Sequence, residues 1–220
     1  MKQRARKQFA VLGLGRFGAS LACRLCERGH EVLAVDKSIA LTDEIAPHVT
    51  QAVCADAVEE GVLETLGVRN YDAVVVSIGQ NVRDSILVTV LCKEQGVRRL
   101  IAKATDELHA AVLRKVGADR VVFPERDMGQ RLALSLERQN YIDMIDLDAQ
   151  HQLMELTAPA QWCGQTLAAL DIRRRWGVNV IAIQRAGRLI VSPRAEEAIR
   201  PEDVLLVLGR GEDIDAIDER

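Results

Sequence analysis

The sequence has few aromatic residues and no excess of positive charge. Phenylalanine, tyrosine and tryptophan make up 3% of its 220 residues, and the formal net charge is −3 at pH 7. Proteins that bind nucleic acids use excess lysine and arginine to attract phosphates, and many of them stack bases on aromatic side chains. The composition therefore argues against nucleic acid as a partner.

Long hydrophobic runs are also missing. The longest apolar segments cover residues 73–76 and 204–208, whereas a membrane-spanning helix needs about 20 apolar residues. The first seven residues carry four basic side chains and lead directly into a predicted strand, with no apolar targeting segment between them. We therefore expect a cytoplasmic protein that does not span a membrane.

The five cysteines do not form the pattern of a disulfide-rich or zinc-binding protein. Their number is odd, and Cys23 and Cys26 alone form a C-x-x-C pair. These two fall on a predicted helix among apolar neighbours, and no second pair supplies further zinc ligands. The pattern favours helix packing, with a redox or metal role as the alternative.

Apolar segments alternate with helix-length segments in the first 140 residues. Short apolar runs predict strands at residues 9–12, 31–36, 51–56, 71–79, 100–104 and 120–123. Helices are predicted at residues 19–27, 84–95, 107–116 and 127–139, the last of them capped by Asp127. Strands that are apolar throughout belong to a parallel sheet covered on both faces. The pattern predicts an α/β fold, a doubly wound parallel sheet of the Rossmann type.

The pattern changes near residue 140. Further strands are predicted at residues 153–157, 178–183, 189–191 and 204–208. One helix is predicted at residues 166–170, and a hairpin turn at residues 186–188. We therefore expect two domains, the Rossmann-type domain over residues 1–140 and a smaller α+β domain over residues 141–220.

A glycine-rich motif follows the first predicted strand. Residues 13–18 read G-x-G-x-x-G, and Asp36 ends the second strand. Gly13 would make the tight turn, Gly15 would let phosphate approach the helix N-terminus, and Gly18 would let helix and sheet pack closely. Asp36 would accept hydrogen bonds from both ribose hydroxyls and repel a 2′-phosphate. The motif predicts a nucleotide site that disfavours NADP, and a structural turn with a chance aspartate is the alternative.

Arg16 lies inside the glycine loop. A guanidinium there offers two parallel hydrogen bonds to a terminal phosphate, which favours ATP or ADP, and a solvated arginine is the alternative. Lys103 would hold a phosphate and Glu125 a cation associated with phosphate, or each would be half of a surface ion pair. The full set of candidates that follow predicted strands, where open α/β sheets bind ligands, is Asp56, Ala57, Ser77, Ile78, Gly79, Gln80, Lys103, Ala104 and Glu125.

The sequence offers no catalytic motif beside this site. It has no G-x-S-x-G elbow, no Walker A lysine and no H-E-x-x-H helix. The second domain, of about 80 residues, is small for one that positions a substrate against a nicotinamide. We therefore expect a regulatory protein and no enzyme. Two alternatives stay open, a small NAD-dependent oxidoreductase and a redox-sensing Rossmann repressor that responds to NADH.

Several specific motifs occur together along the chain. They are Q-F-A-V-L-G-L-G-R-F-G at residues 8–18, H-E-V-L-A-V-D at 30–36, G-A-D-R at 117–120 and P-E-R-D-M-G at 124–129. This combination resembles the regulatory RCK subunits of Ktr and Trk potassium-uptake systems, with Ktr the closer match. The resemblance continues into the second domain at residues 171–173, 176–177, 182–183 and 192–193.

The resemblance implies a homo-oligomeric gating ring, usually of eight subunits. Such a ring docks on the cytoplasmic face of a membrane-embedded potassium-translocating dimer. Exchange of ATP and ADP in the Rossmann site would change the shape of the ring and open or close the pore. NAD or NADH occupies such sites in relatives.

The resemblance also implies roles for individual residues. It adds Phe17, Lys37 and His109 to the nucleotide site, and it places Glu125 beside a cation near the γ-phosphates across a dimer contact. That cation would be magnesium, sodium or calcium.

In the second domain the resemblance implies a site for cyclic di-AMP. Arg173, Asn179, Val180 and Pro193 match positions that form this pocket at a dimer interface, where the ligand inactivates transport. A purely structural dimer contact explains the same four residues equally well.

Overall fold

The computed structural model describes residues 5–137, 141–148 and 150–219. Contacts between residues divide the chain into two compact units, Met1–Glu125 and Arg126–Arg220. Within the described residues, none of the helices has the length and apolar character that crossing a membrane requires.

The first unit contains a six-stranded parallel sheet. Its strands are β1 (Gln8–Leu12), β2 (Glu31–Asp36), β3 (Gln51–Cys54), β4 (Ala73–Val76), β5 (Leu100–Lys103) and β6 (Arg120–Val122). They lie in the order β3-β2-β1-β4-β5-β6, and every neighbouring pair is parallel. β2 to β6 fall within the segments that the apolar runs predict, and β1 begins one residue before its predicted segment.

Both faces of this sheet are covered. Ala10 and Leu12 of β1 pack in one apolar cluster with Val74 of β4, whereas Val11 packs in a second cluster with Val32 of β2. Neighbouring residues of a strand point to opposite faces. The two clusters therefore occupy the two faces, which confirms the doubly wound fold.

Helices connect the strands of the first unit. They are α1 (Arg16–Glu27), α2 (Ile39–Ile45), α3 (Val62–Thr65), α4 (Val82–Glu94) and α5 (Glu107–Lys115), and α6 (Pro124–Glu137) follows β6. The division between the units falls within α6, whereas the sequence places it after residue 140. The later boundary stays a prediction.

The start of α6 differs from the sequence prediction. The sequence makes Asp127 the capping residue, but the structure begins the helix at Pro124. Proline suits the first helical position because its fixed φ matches the helix and its missing N–H would have no partner there. Asp127 therefore lies within the helix, and the capping prediction is wrong.

The second unit contains a five-stranded antiparallel sheet in the order β10-β9-β11-β8-β7. Its strands are β7 (Tyr141–Asp146), β8 (His151–Thr157), β9 (Asn179–Arg185), β10 (Arg188–Val191) and β11 (Val204–Arg210). Its helices are α7 (Leu167–Leu170), α8 (Ile172–Trp176) and α9 (Gly211–Glu219). Every second residue of β11 is buried, as expected for a sheet with one covered face. The predicted α+β architecture is confirmed, although β7, α8 and α9 were not predicted.

A buried ion pair ties the segment before β11 to β9. The guanidinium of Arg185 donates two hydrogen bonds of 2.7 Å to Asp203, which is fully buried, and one of 2.7 Å to Glu197. Its Nη2 also donates to the carbonyl of Ala198 at 2.8 Å, and the N–H of Arg200 donates to Asp203 at 2.9 Å. The carboxylate of Asp203 is thus held on several sides, which offsets the cost of burying it.

Candidate nucleotide-binding site

A cavity of about 400 Å³ opens at the carboxyl ends of β1 to β4. The chain passes from β1 to β2 on one side and returns at β4 on the other side of β1. Open α/β sheets bind ligands where the strand order reverses in this way, and the volume is typical of a small-molecule site. The structure therefore places a ligand-sized space where the motif predicts it.

The lining of this cavity includes most of the predicted nucleotide residues. They are Gly13, Gly15, Asp36, Lys37, Asp56, Ala57, Ser77, Ile78, Gly79 and Gln80. Sequence reasoning missed the rest of the lining, which is Val35, Ser38, Leu41, Ala55, Asn81 and Asp84. Val35, Ser38 and Ala55 lie next to residues already selected, so nearness to a strand end was the signal that could have found them. Leu41, Asn81 and Asp84 belong to helices or their caps, and no such signal marks them in the sequence.

Two glycines of the motif are required by the protein itself. Gly13 has φ +98°, and its N–H donates to the carbonyl of Val35 at 2.8 Å. A Cβ on Gly18 would overlap the carbonyl oxygen of Gly13 and lie 2.5 Å from Oγ of Ser77. That hydroxyl donates to the same carbonyl at 2.6 Å. Glycine at position 18 thus lets α1 approach the ends of β1 and β4.

Gly15 is different, because nothing in the protein requires it. Its φ of −60° and ψ of 176° are open to any residue, and a Cβ there would have no atom within 4 Å. The first hydrogen bond of α1 runs from Ala19 to the carbonyl of Gly15 at 2.9 Å. The N–H groups of Arg16, Phe17 and Gly18 have no acceptor in the described part of the chain. Three free amides beside an open space form a site that fits a phosphate.

Asp36 is fixed at the end of β2. Its Oδ2 accepts a hydrogen bond of 2.7 Å from the N–H of Leu14, and its Oδ1 accepts one of 2.9 Å from the N–H of Ser38. A carboxylate oxygen has a second lone pair. Both oxygens of Asp36 can therefore accept further hydrogen bonds from ribose hydroxyls.

The loop after β3 presents an acceptor next to a donor. Oδ1 of Asp56 accepts from the N–H of Val58 at 3.1 Å, which fixes the carboxylate and leaves Oδ2 open. The N–H of Ala57 has no acceptor among the described residues, although Ala57 is 7% exposed. A buried amide without a partner is costly. The loop is therefore suited to a ligand that carries a donor beside an acceptor.

Lys103 lies beside Gly79 and pairs with Glu125. Nζ of Lys103 lies 2.5 Å from Oε1 of Glu125, and a Cβ on Gly79 would lie 3.2 Å from the same Nζ. The hydrogen bond from Lys103 lowers the pKa of Glu125, and the charge of Arg16 lowers it further. Lys103 and Glu125 thus form a pair outside the cavity lining, and the charge of Arg16 acts on the same carboxylate.

Phe17, Ala104 and His109 do not line the cavity. His109 is 2% exposed, and its Nδ1 accepts from the N–H of Thr105 at 3.3 Å. Its Nε2 has no hydrogen-bond partner among the described residues. Burial lowers the pKa of His109, and the charge of Asp106 opposes this effect. The roles of Phe17, Ala104 and His109 toward a nucleotide stay predictions.

The predicted metal role rests on Glu125 alone. No group of three or more histidine, cysteine, aspartate or glutamate side chains that could hold a metal ion occurs in the described ranges. A cation at Glu125 would therefore take most of its ligands from elsewhere.

The cyclic di-AMP candidates lie in the second unit. Arg173 is exposed on α8, and Asn179 and Val180 begin β9. Pro193 follows β10, and the preceding Ser192 donates to the carbonyl of Ile181 in β9 at 2.8 Å. Asn179, Val180 and Pro193 therefore belong to one end of the sheet, and their role in binding stays a prediction.

The chain matches two protein-domain families in sequence. Residues 9–124 match the TrkA-N domain, and residues 152–220 match the TrkA-C domain. The chain is 44% identical to the Ktr system potassium uptake protein C of Bacillus subtilis, over 98% of this chain and 97% of that protein. It is 41% identical to the Ktr system potassium uptake protein A of the same organism, over 94% of each.

Solved structures show the same fold. The GsuK channel bound to NAD matches 99% of this chain and 40% of that chain, with a TM-score of 0.69 and 19% sequence identity. The resemblance inferred from the sequence motifs is confirmed by the domain matches and the two Ktr relatives. The chain therefore belongs to the RCK family of TrkA-N/TrkA-C proteins that includes the Ktr potassium uptake proteins, which are regulatory proteins and not enzymes.

Proposed function

We propose that this protein is the regulatory subunit of a Ktr-type potassium-uptake system and that it senses ATP and ADP in the cavity at the strand switch point. The observation that carries the proposal is the open space beside Gly15 at the start of α1, where a Cβ would have no atom within 4 Å and the next three amides have no acceptor among the described residues. A phosphate fits this space, because helix N-termini stabilise negative charge.

In the proposed binding mode, the parts of an adenine nucleotide would lie along the cavity in order. The ribose hydroxyls would bind the carboxylate of Asp36, and the base would lie between the apolar side chains of Leu41 and Ile78. The 5′-phosphates would then extend over Gly15 toward Arg16. Each part thus meets a group of matching chemistry.

The loop after β3 favours adenine over guanine. Adenine carries the N6 amino donor beside the N1 acceptor, whereas guanine carries an acceptor beside a donor at the corresponding positions. Oδ2 of Asp56 would accept from N6, and the unpartnered N–H of Ala57 would donate to N1. Guanine would leave both protein groups unpaired, and unpaired buried groups discriminate strongly between ligands.

Arg16 and Lys103 are the groups that would detect a γ-phosphate. Both lie near Glu125, and Glu125 would hold magnesium, sodium or calcium together with phosphate oxygens. A bound cation would neutralise phosphate charge. ATP regulates only if it binds one conformation more tightly than ADP does, and a contact to the γ-phosphate supplies such a difference.

The partners follow from the family. We propose a homo-oligomeric ring, of eight subunits as in the family pattern, that docks on the cytoplasmic face of a membrane-embedded potassium-translocating subunit. Cyclic di-AMP would act separately, through Arg173, Asn179, Val180 and Pro193 of the second unit.

The experiment is calorimetric titration of nucleotide-free protein with ATP, ADP, GTP, NADH and cyclic di-AMP, while light scattering follows the assembly. We expect ATP and ADP to bind a large ring without hydrolysis, and GTP to bind at least about 100-fold more weakly. Preference for NADH in a dimer would contradict the proposal and favour an oxidoreductase or redox sensor.

Arg16→Ala is the sharpest variant for this proposal. We expect it to weaken ATP about tenfold or more, and ADP and NADH less, because only ATP places a γ-phosphate near the guanidinium. Arg24→Ala is the matched control, since Arg24 lies at the other end of α1 and pairs with Glu27 at 2.8 Å. Equal losses for all three nucleotides would rule out a γ-phosphate role for Arg16.

A further inference from the structure

Lys37 and Asp84 line the nucleotide cavity from different walls. Lys37 follows β2, and Asp84 lies in the first turn of α4, which follows β4. β2 and β4 flank β1 on its two sides. Nζ of Lys37 lies 3.4 Å from Oδ2 of Asp84. The two side chains therefore meet across the cavity.

The sequence contains a conflict at this point. Asp36 suits a free ribose 2′-hydroxyl and repels a 2′-phosphate, but a cation near this position in a dinucleotide-binding fold accommodates a 2′-phosphate. Lys37 is such a cation. The structure resolves the conflict, because the charge of Lys37 is directed to Asp84.

The charges along the cavity strengthen this arrangement. Its charged lining consists of the carboxylates Asp36, Asp56 and Asp84 and the single cation Lys37, as far as the described residues show. Once Lys37 is paired, the carboxylates Asp36 and Asp56 keep this part of the lining negative, while the cation Lys103 lies beside Gly79.

Neither fold stability nor helix capping accounts for the pair. The side chain of Lys37 is 63% exposed and that of Asp84 is 20% exposed, and solvent-exposed ion pairs add little to the stability of a fold. The cap of α4 comes from Asn81, whose Oδ1 accepts from the N–H of Asp84 at 3.2 Å. A negative charge in the first turn suits the helix dipole, but that effect does not require Lys37.

We propose that Asp84 is a specificity-determining residue, which holds Lys37 away from the ribose and thereby excludes nucleotides that carry a 2′-phosphate. The proposal rests on the nucleotide site described above and goes beyond it, because it assigns the choice between two ribose chemistries to one carboxylate. Asp36 repels the 2′-phosphate directly, and Asp84 removes the cation that would compensate for this repulsion.

The test compares NADH with NADPH, which differ only in the 2′-phosphate, by calorimetry on the full chain. ATP is titrated in parallel to show whether each variant still binds a nucleotide at this site. The variants are Asp84→Asn, the double variant Lys37→Ala/Asp84→Asn, and Glu27→Gln. Glu27→Gln is the matched control, because it removes one carboxylate of an exposed ion pair at the far end of α1.

We expect Asp84→Asn to raise the affinity for NADPH relative to NADH about tenfold, as one new charge-assisted contact would. The double variant should lose this gain, because Lys37 supplies the contact, and Glu27→Gln should leave the ratio as in the natural sequence. ATP affinity should change less than about threefold in Glu27→Gln, because Glu27 lies outside the cavity lining.

An unchanged ratio in Asp84→Asn would overturn the proposal while the ATP titration still supports the nucleotide site. A gain that persists in the double variant would also overturn it, because the cause would then be the general field of the cavity. Failure of the natural sequence to bind any nucleotide would reject the proposed function, and this inference with it. Circular dichroism of each variant shows that α4 is still folded.

Discussion

The two units of the molecule differ in whether key polar groups have hydrogen-bond partners. In the first unit, the first three amides of α1 and the N–H of Ala57 have no acceptors in the described structure. In the second unit, Arg185 satisfies the fully buried Asp203 with two hydrogen bonds and also binds Glu197. Unpaired groups at a concave surface indicate a ligand, and paired groups in an interior indicate a structural role.

The stability of each unit can be measured separately. The two tryptophans of the sequence, Trp162 and Trp176, both lie in the second unit and pack edge to face at 5.2 Å. Tryptophan fluorescence therefore reports on the second unit, and hydrogen exchange of β4 amides reports on the first.

The largest effect is expected from Arg185→Leu. The change leaves the carboxylate of Asp203 buried without its ionic partner, which costs about 3–5 kcal/mol. The fluorescence-detected unfolding transition should move accordingly, to lower denaturant concentration. Arg188→Leu, on the exposed strand of the same hairpin, should lower the free energy of unfolding by less than about 0.5 kcal/mol. Equal shifts would show that Arg185 is not the structural centre of the second unit.

A smaller change in stability is expected for substitutions in the glycine motif, and it should differ between Gly18 and Gly15. Gly18→Ala should destabilise the first unit by about 1–3 kcal/mol, because its Cβ overlaps the carbonyl of Gly13. Gly15→Ala should change stability by less than about 1 kcal/mol, since its backbone angles suit alanine. It should nevertheless weaken ATP about tenfold or more, because the methyl group occupies the phosphate space.

Hydrogen exchange measures the stability of the first unit in both variants, and calorimetry measures their affinity for ATP. If Gly15→Ala binds ATP as the natural sequence does, the phosphate is not beside Gly15, and the free amides of α1 have another role.

The smallest effect concerns pH. Burial lowers the pKa of His109, so the unfolded chain binds the proton more readily than the folded one. The stabilisation is present above the ordinary histidine pKa of about 6.5 and is lost as the pH falls toward the lower folded value. The first unit should therefore weaken between pH 7 and pH 5, as measured by hydrogen exchange of β4.

The second unit should hold its stability over that range. Burial opposes ionisation of Asp203, but the hydrogen bonds from Arg185 and Arg200 outweigh burial and lower the pKa of the carboxyl. Its stabilisation is present above the ordinary carboxyl pKa of about 4 and is lost below it. In the first unit, His109→Asn should abolish the loss of stability between pH 7 and pH 5. A loss of fluorescence-detected stability above pH 5 would contradict this assignment.

Much of the first unit could be predicted from the sequence, because its strands are continuous apolar runs and its glycine spacing is specific. The second unit was predicted less completely. Tyr141–Asp146 has neither a continuous apolar run nor strict alternation, so β7 was missed. Gly211–Glu219 is rich in acidic residues, and the pair Ile214 and Ile217, which packs into the core, is too short a pattern to indicate α9.

The site was also predicted unevenly. Asp36 and the glycines lie in one local motif, and their spacing alone places them around a helix N-terminus. Asn81 and Asp84 were missed, because they belong to the start of an ordinary helix and only the fold brings that helix to the cavity.

The sequence by itself determined the α/β class, the strand–glycine turn–helix unit at the start of the chain and the carboxylate at the end of β2, because each depends on residues close together in the chain. Only the tertiary structure decided which distant charges meet: Lys37 with Asp84, Lys103 with Glu125, and Arg185 with Asp203. These pairs depend on strand order and register. Hydrophobic packing sets that order over the whole domain, and no local pattern specifies it.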